Sequence, residues 1–83
     1  MTRPNLPGHI SVLVKRSFTL AGHRTSVALE PEFWEALAAI AAARERSLSA
    51  LVAEVDAGRS AERPLASALR VYALHAHELR TPR

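Results

Sequence analysis

The chain has no cysteine, so neither a disulfide nor a thiolate-held metal can brace its fold. No apolar run approaches the ~20 residues that a membrane span requires. The opening residues, Met1 to Gly8, carry two prolines and no apolar stretch of the kind that begins a secretory leader. No membrane partner is therefore expected, and a cytoplasmic location is. Catalytic machinery is missing too: with only three glycines there is no glycine-rich phosphate loop, and no nucleophile–base–acid set or metal-ligand spacing occurs. Enzyme activity, a cofactor and a metal are all unexpected. His75 and His77, two apart on a helix, diverge by roughly 200° and would not chelate together. No internal repeat and no low-complexity tract is apparent.

A further absence is local. Residues 1–29 contain Arg3, Lys15, Arg16 and Arg24 but no acid, whereas residues 30–62 hold seven acids against Arg44, Arg46 and Arg59. The excess turns basic again over residues 63–83, where Arg63, Arg70, Arg80 and Arg83 face Glu78 alone. A purely basic N-terminal third suits a polyanionic partner at that end, although small basic proteins are common. At 83 residues the chain makes one small domain. Domains near this size bury a modest share of their surface and usually need a staple or a partner. With no staple to hand, a second copy is the natural remedy.

Met1 to His9 reads as an arm, broken by Pro4, Pro7 and Gly8. Ile10 to Val14 and Ser17 to Leu20 are rich in apolar and β-branched residues and suit extended structure, and Ala21-Gly22 signals a turn. From Arg24 to Leu29 the pattern alternates, with Thr25, Val27 and Leu29 on one side and Arg24, Ser26 and Ala28 on the other, as in a strand with one buried face. Pro31 suits a first helical position, and Glu30, Glu32 and Glu35 favour the positive end of the helix dipole. Phe33, Leu37 and Ile40 form an apolar stripe with Trp34 and Ala41 beside it, and Arg44 and Arg46 close the helix. Ser47 is a good N-cap for a second helix with the stripe Leu48, Leu51, Val52 and Val55, ending near Asp56 to Gly58. Pro64 opens a third helical pattern along Leu65, Leu69, Tyr72, Ala76 and Leu79. The expected organisation is an arm over 1–14, a core over 15–57, a linker over 58–63 and a C-terminal helix over 64–80.

A single strand leaves its backbone groups unpaired and its apolar face open. Strand 24–29 followed by two short amphipathic helices thus asks for a second copy, the two strands pairing antiparallel about a two-fold axis. A two-stranded ribbon is narrow enough to enter the major groove of double-stranded DNA.

The run RTSVALEPEFWEAL over 24–37, with Ala41 and then SLSALV over 47–52, resembles the ribbon-helix-helix DNA-binding proteins, among them the phage Arc and methionine-type repressors and antitoxins of that fold. With KRS at 15–17, GHRTS at 22–26, Leu29-Glu30, Phe33-Trp34 and LASALR at 65–70, it is similar to a bacterial subgroup of that superfamily, over roughly residues 15 to 75. The resemblance implies a mainly α fold with a short β-ribbon, a homodimer carrying an additional C-terminal helix, and a role in transcription regulation. It implies base contacts from Arg24, Ser26 and Ala28, of which Arg24 suits guanine and Ala28 offers only apolar contact. It also implies phosphate contacts at the second helix's N-terminus, around Ser47, Leu48 and Ser49, while Lys15 and Arg16 suit phosphates as a basic arm. Val27, Leu29, Phe33, Trp34, Leu37, Ile40, Leu51, Val52 and Val55 would form the dimer core, with one of the adjacent Phe33 and Trp34 inside and the other at the dimer seam. Glu45 stands where the family often has glycine.

Blander readings stand beside these. Arg24 can be a solvated edge charge, Ser47 is a helix cap whether or not it meets phosphate, and His23 either touches DNA or merely ends the turn. A second functional class is also open: an antitoxin-like adaptor dimer whose C-terminal helix binds a protein partner. It gains weight if residues 15–20 pair with 24–29 as a hairpin. The dimer sheet would then have four strands about 4.8 Å apart, too broad for a groove about 12 Å wide.

Overall fold

The computed structural model describes the backbone of residues 12–80 and the side chains of residues 12–76. The expected arm over 1–14 lies mostly outside the described residues, as does the side chain of Leu79. Two strands, β1 (Val14–Leu20) and β2 (His23–Leu29), precede three helices, α1 (Pro31–Ala43), α2 (Leu48–Gly58) and α3 (Leu65–Arg80). None of these helices is long and apolar enough to cross a membrane.

Strand 24–29 is not alone. β1 pairs antiparallel along all of β2, from Val14 opposite Leu29 to Leu20 opposite His23. The expectation of a lone strand that must borrow a second copy is corrected here: the same chain supplies the partner. A two-residue turn makes this possible. Ala21 and Gly22 both take positive φ, 51° and 83°, the backbone pair whose twist matches two right-twisted strands. Gly22 adopts that conformation freely, whereas Ala21 has a Cβ to accommodate.

The ribbon's inner face and the helices close one core. Phe18, Leu20, Val27 and Leu29 are buried with Trp34, Leu37, Ile40, Ala41, Leu51, Val52, Leu65, Leu69 and Ala73. α2 packs against β1, α3 against β2, and α1 against both other helices. Burying a side chain such as Leu29, Leu37, Leu51 or Leu69 contributes roughly 1.5–3 kcal/mol, and all four are fully buried within this one chain. Of the residues expected at a dimer core, Val27, Leu29, Trp34, Leu37, Ile40, Leu51 and Val52 are thus already covered by their own chain, and Phe33 and Val55 are half-buried.

Trp34, 3% exposed, is the inner member of the aromatic pair. Its ring lies 5.8 Å from that of Phe18, and its indole N–H donates to the Val14 carbonyl at 2.8 Å. That bond satisfies the one polar group such a ring carries into a core. Phe33 points elsewhere, beneath the Arg70 guanidinium at 5.7 Å. Arg70 in turn donates two hydrogen bonds to the Glu30 carboxylate, at 3.0 and 3.2 Å, clasping the start of α1 to α3.

Both interhelical turns follow from local chemistry. At the end of α1 the Arg46 amide bonds the Ala41 carbonyl and the Glu45 amide bonds that of Ala42, a two-bond cap that needs a left-handed residue between helix and turn. Glu45 fills that place at φ 57°, where glycine would be unstrained. α2 then begins on Ser47, whose hydroxyl accepts from the Ala50 amide at 3.0 Å.

Candidate nucleic-acid interface

Side chains opposite one another in an antiparallel pair share a face. The register puts Lys15 beside Ala28, Ser17 beside Ser26 and Thr19 beside Arg24 on one face of the ribbon. The other face carries Val14/Leu29, Arg16/Val27, Phe18/Thr25 and Leu20/His23, and holds all four of the ribbon's buried residues. The first set is the outer face: two cations, three hydroxyls and one alanine, without an acid. It is internally bonded. Ser17 and Ser26 share a hydrogen bond of 3.1 Å, and the Arg24 guanidinium donates to the Thr19 hydroxyl at 3.2 Å. These exposed bonds exchange readily for bonds to a ligand.

Arg24, Ser26 and Ala28 therefore stand together on β2, facing outward, with Ala28 half-buried beside Lys15. Lys15 and Arg16, neighbours in sequence, stand on opposite faces. Lys15 joins the outer face; Arg16 lies over the Trp34 ring at 5.4 Å and shields one edge of the core. His23 pairs with Leu20 at the turn end of the inner face, exposed.

Two residues of the outer face, Ser17 and Thr19, were not anticipated. Their signal was the alternation of Lys15, Ser17 and Thr19 with Phe18 and Leu20, which Arg16 interrupts.

The second expected contact region, around Ser47, Leu48 and Ser49, forms the first turn of α2. There the Ser47 hydroxyl takes the Ala50 amide and the Ser47 carbonyl that of Leu51, so the amides of Leu48 and Ser49 are the ones left for an anion. The flanking arginines are engaged: Arg44 (3.4 Å) and Arg46 both reach the Glu54 carboxylate, and Arg44 also donates to the Tyr72 hydroxyl. Glu45, exposed at the turn, places a negative charge near that helix start. Among the described residues no cluster of three metal-ligating side chains occurs.

The family model described as "Ribbon-helix-helix domain" matches residues 13–77 of this chain. Among solved structures, the chain is similar to an uncharacterized protein from Bordetella pertussis Tohama I, at 30% identity and a TM-score of 0.71. The match covers 90% of this chain and 63% of that one, so the chain spans somewhat under two thirds of its relative's length. No curated protein matches.

Proposed function

Since the chain belongs to the ribbon-helix-helix domain family, we propose that it is a DNA-binding regulator that lays the outer face of its β1–β2 ribbon in the major groove. The observation that carries this reading is the acid-free face of Lys15, Ser17, Thr19, Arg24, Ser26 and Ala28 on a ribbon only two strands wide. Its chemistry suits base edges. Arg24 can donate twice to guanine O6 and N7, hydroxyls can donate or accept, and Ala28 leaves room for a thymine methyl. The free amides of Leu48 and Ser49 would fix the register on a phosphate without reading sequence. Association of two copies is part of the same proposal, and it would join units whose cores are already closed.

Anisotropy titrations with labelled duplex at two salt concentrations test this reading. Affinity should fall steeply with salt, as counterions released from phosphates require. Salt-independent or absent binding would remove it. The competing adaptor reading gains from the hairpin, since β1 does pair along β2, but it also wanted a C-terminal helix free for a partner. α3 instead buries Leu65, Leu69 and Ala73 in its own chain.

A further inference from the structure

Two arginines at the α1–α2 turn flank the start of α2 and share one carboxylate. Arg46 donates to one oxygen of Glu54, Arg44 reaches the other at 3.4 Å, and Arg44 also donates to the Tyr72 hydroxyl on α3. Glu54 stands six residues past Leu48, the first residue of α2, or about 9 Å along the helix at 1.5 Å per residue. Both guanidiniums are thus drawn back beside α2 instead of standing over the Leu48 and Ser49 amides.

These contacts lie in water. The side chains of Arg44 and Glu54 are each 41% exposed and that of Arg46 is 37% exposed. Ion pairs of this kind hold weakly and yield to salt and to competing anions. A single carboxylate also leaves both guanidiniums under-used, because each carries several N–H donors in a planar fork. A phosphodiester accepts such a fork two bonds at a time. A duplex offers a row of phosphates, and arginines that reach them gain further from the counterions released.

Resting on the reading of the ribbon's outer face as a DNA reader, we infer that Arg44 and Arg46 are further phosphate-binding residues, for which Glu54 substitutes as the anion in the free protein. Binding of a duplex transfers both guanidiniums from Glu54 to backbone phosphates beside the one held at the α2 N-terminus. Glu54 is therefore a brake on affinity. It acts alike on every sequence, since phosphate contacts position the protein without reading bases. The exchange also reaches α3. When Arg44 leaves Glu54 for a phosphate it leaves Tyr72 as well, and Tyr72 is the chain's single tyrosine, so one ring reports the transfer.

Anisotropy titrations of labelled duplex test this with the full chain, comparing the unaltered protein, Glu54→Gln, the double change Arg44→Ala with Arg46→Ala, and all three together. Glu54→Gln should bind about fivefold tighter on every sequence, the order of effect that one exposed ion pair sets. The arginine changes should lower the slope of log affinity against log salt by about 0.9 each, and in their presence Glu54→Gln should add nothing. The NMR resonance of the isotope-labelled Tyr72 ring should shift as duplex is added to the unaltered chain, which serves as the check where a variant does not fold. An equal gain from Glu54→Gln without the two arginines would reduce Glu54 to a repelling charge and overturn the inference while DNA reading stands. So would an affinity that Glu54→Gln leaves unchanged, or a Tyr72 resonance that bound duplex leaves in place. Binding of no duplex by the unaltered protein or by Glu54→Gln, at either of two salt concentrations, would overturn the inference and the DNA reading together.

Discussion

The two faces of the ribbon are made from alternate residues of the same two strands, yet they differ in almost every physical respect. The inner face buries Phe18, Leu20, Val27 and Leu29 and contributes stability through that burial. The outer face is wet, acid-free and held by hydrogen bonds between exposed groups, which contribute little to folding because water competes for them. Stability and the proposed recognition are thus separated by one step along the backbone. Substitutions can move one property while leaving the other.

The largest expected effect lies inside. Leu29→Ala, at a fully buried position, should destabilise the fold by about 2–5 kcal/mol, measured by urea unfolding. The protein that remains folded should bind duplex DNA with unaltered sequence preference; a changed preference would mean that the faces are not independent. Arg24→Ala is the converse. It should cost about 1–3 kcal/mol at a favoured DNA sequence while its urea midpoint stays within about 0.5 kcal/mol of the unaltered protein. A comparable loss on every sequence would demote Arg24 from reader to phosphate contact.

Sharper still is the pair Lys15 and Arg16. Lys15→Ala should lower the slope of log affinity against log salt by about 0.9 and leave the melting curve alone. Arg16→Ala removes a cation from the Trp34 ring and should lower stability by about 0.5–1 kcal/mol. Equal salt slopes for the two variants would show that Arg16 leaves the tryptophan for DNA.

The smallest effect lies off both faces. The Glu30 backbone amide, and then the Arg70 guanidinium, hold the Glu30 carboxyl below its ordinary value of 4.5. A depressed acid supports the fold fully above its unfolded value and loses that support as pH falls through the folded one. Unfolding midpoints followed downward from pH 5 should therefore drop less in Glu30→Gln than in the unaltered protein. Identical acid profiles would show that the clasp to Arg70 adds nothing.

Much of this was legible in the residues. The alternation of 24–29, the Ala21-Gly22 turn, the Ser47 cap and the three helical stripes are local signals, and the elements they announced are present. The partner of β2 was less legible for one reason. Residues 15–20 also alternate, but Arg16 occupies an apolar-face position, so beside Lys15 it reads as a basic pair instead of a break between faces. Only the Trp34 ring, eighteen positions on, explains an arginine there. The choice between Phe33 and Trp34 was equally unavailable from spacing, since adjacent helical residues diverge whichever is buried. It was decided by Phe18 and the Val14 carbonyl, which receive the indole.

The turn at Ala21-Gly22 has a kinetic consequence. Strands joined by two residues meet by closing a small loop, an event of roughly 1–10 µs for a hairpin. Ribbon formation is accordingly first order in protein, whereas a ribbon shared between chains forms by collision and is lost on dilution. The β1–β2 hairpin therefore closes within one chain, at a rate that dilution leaves unchanged.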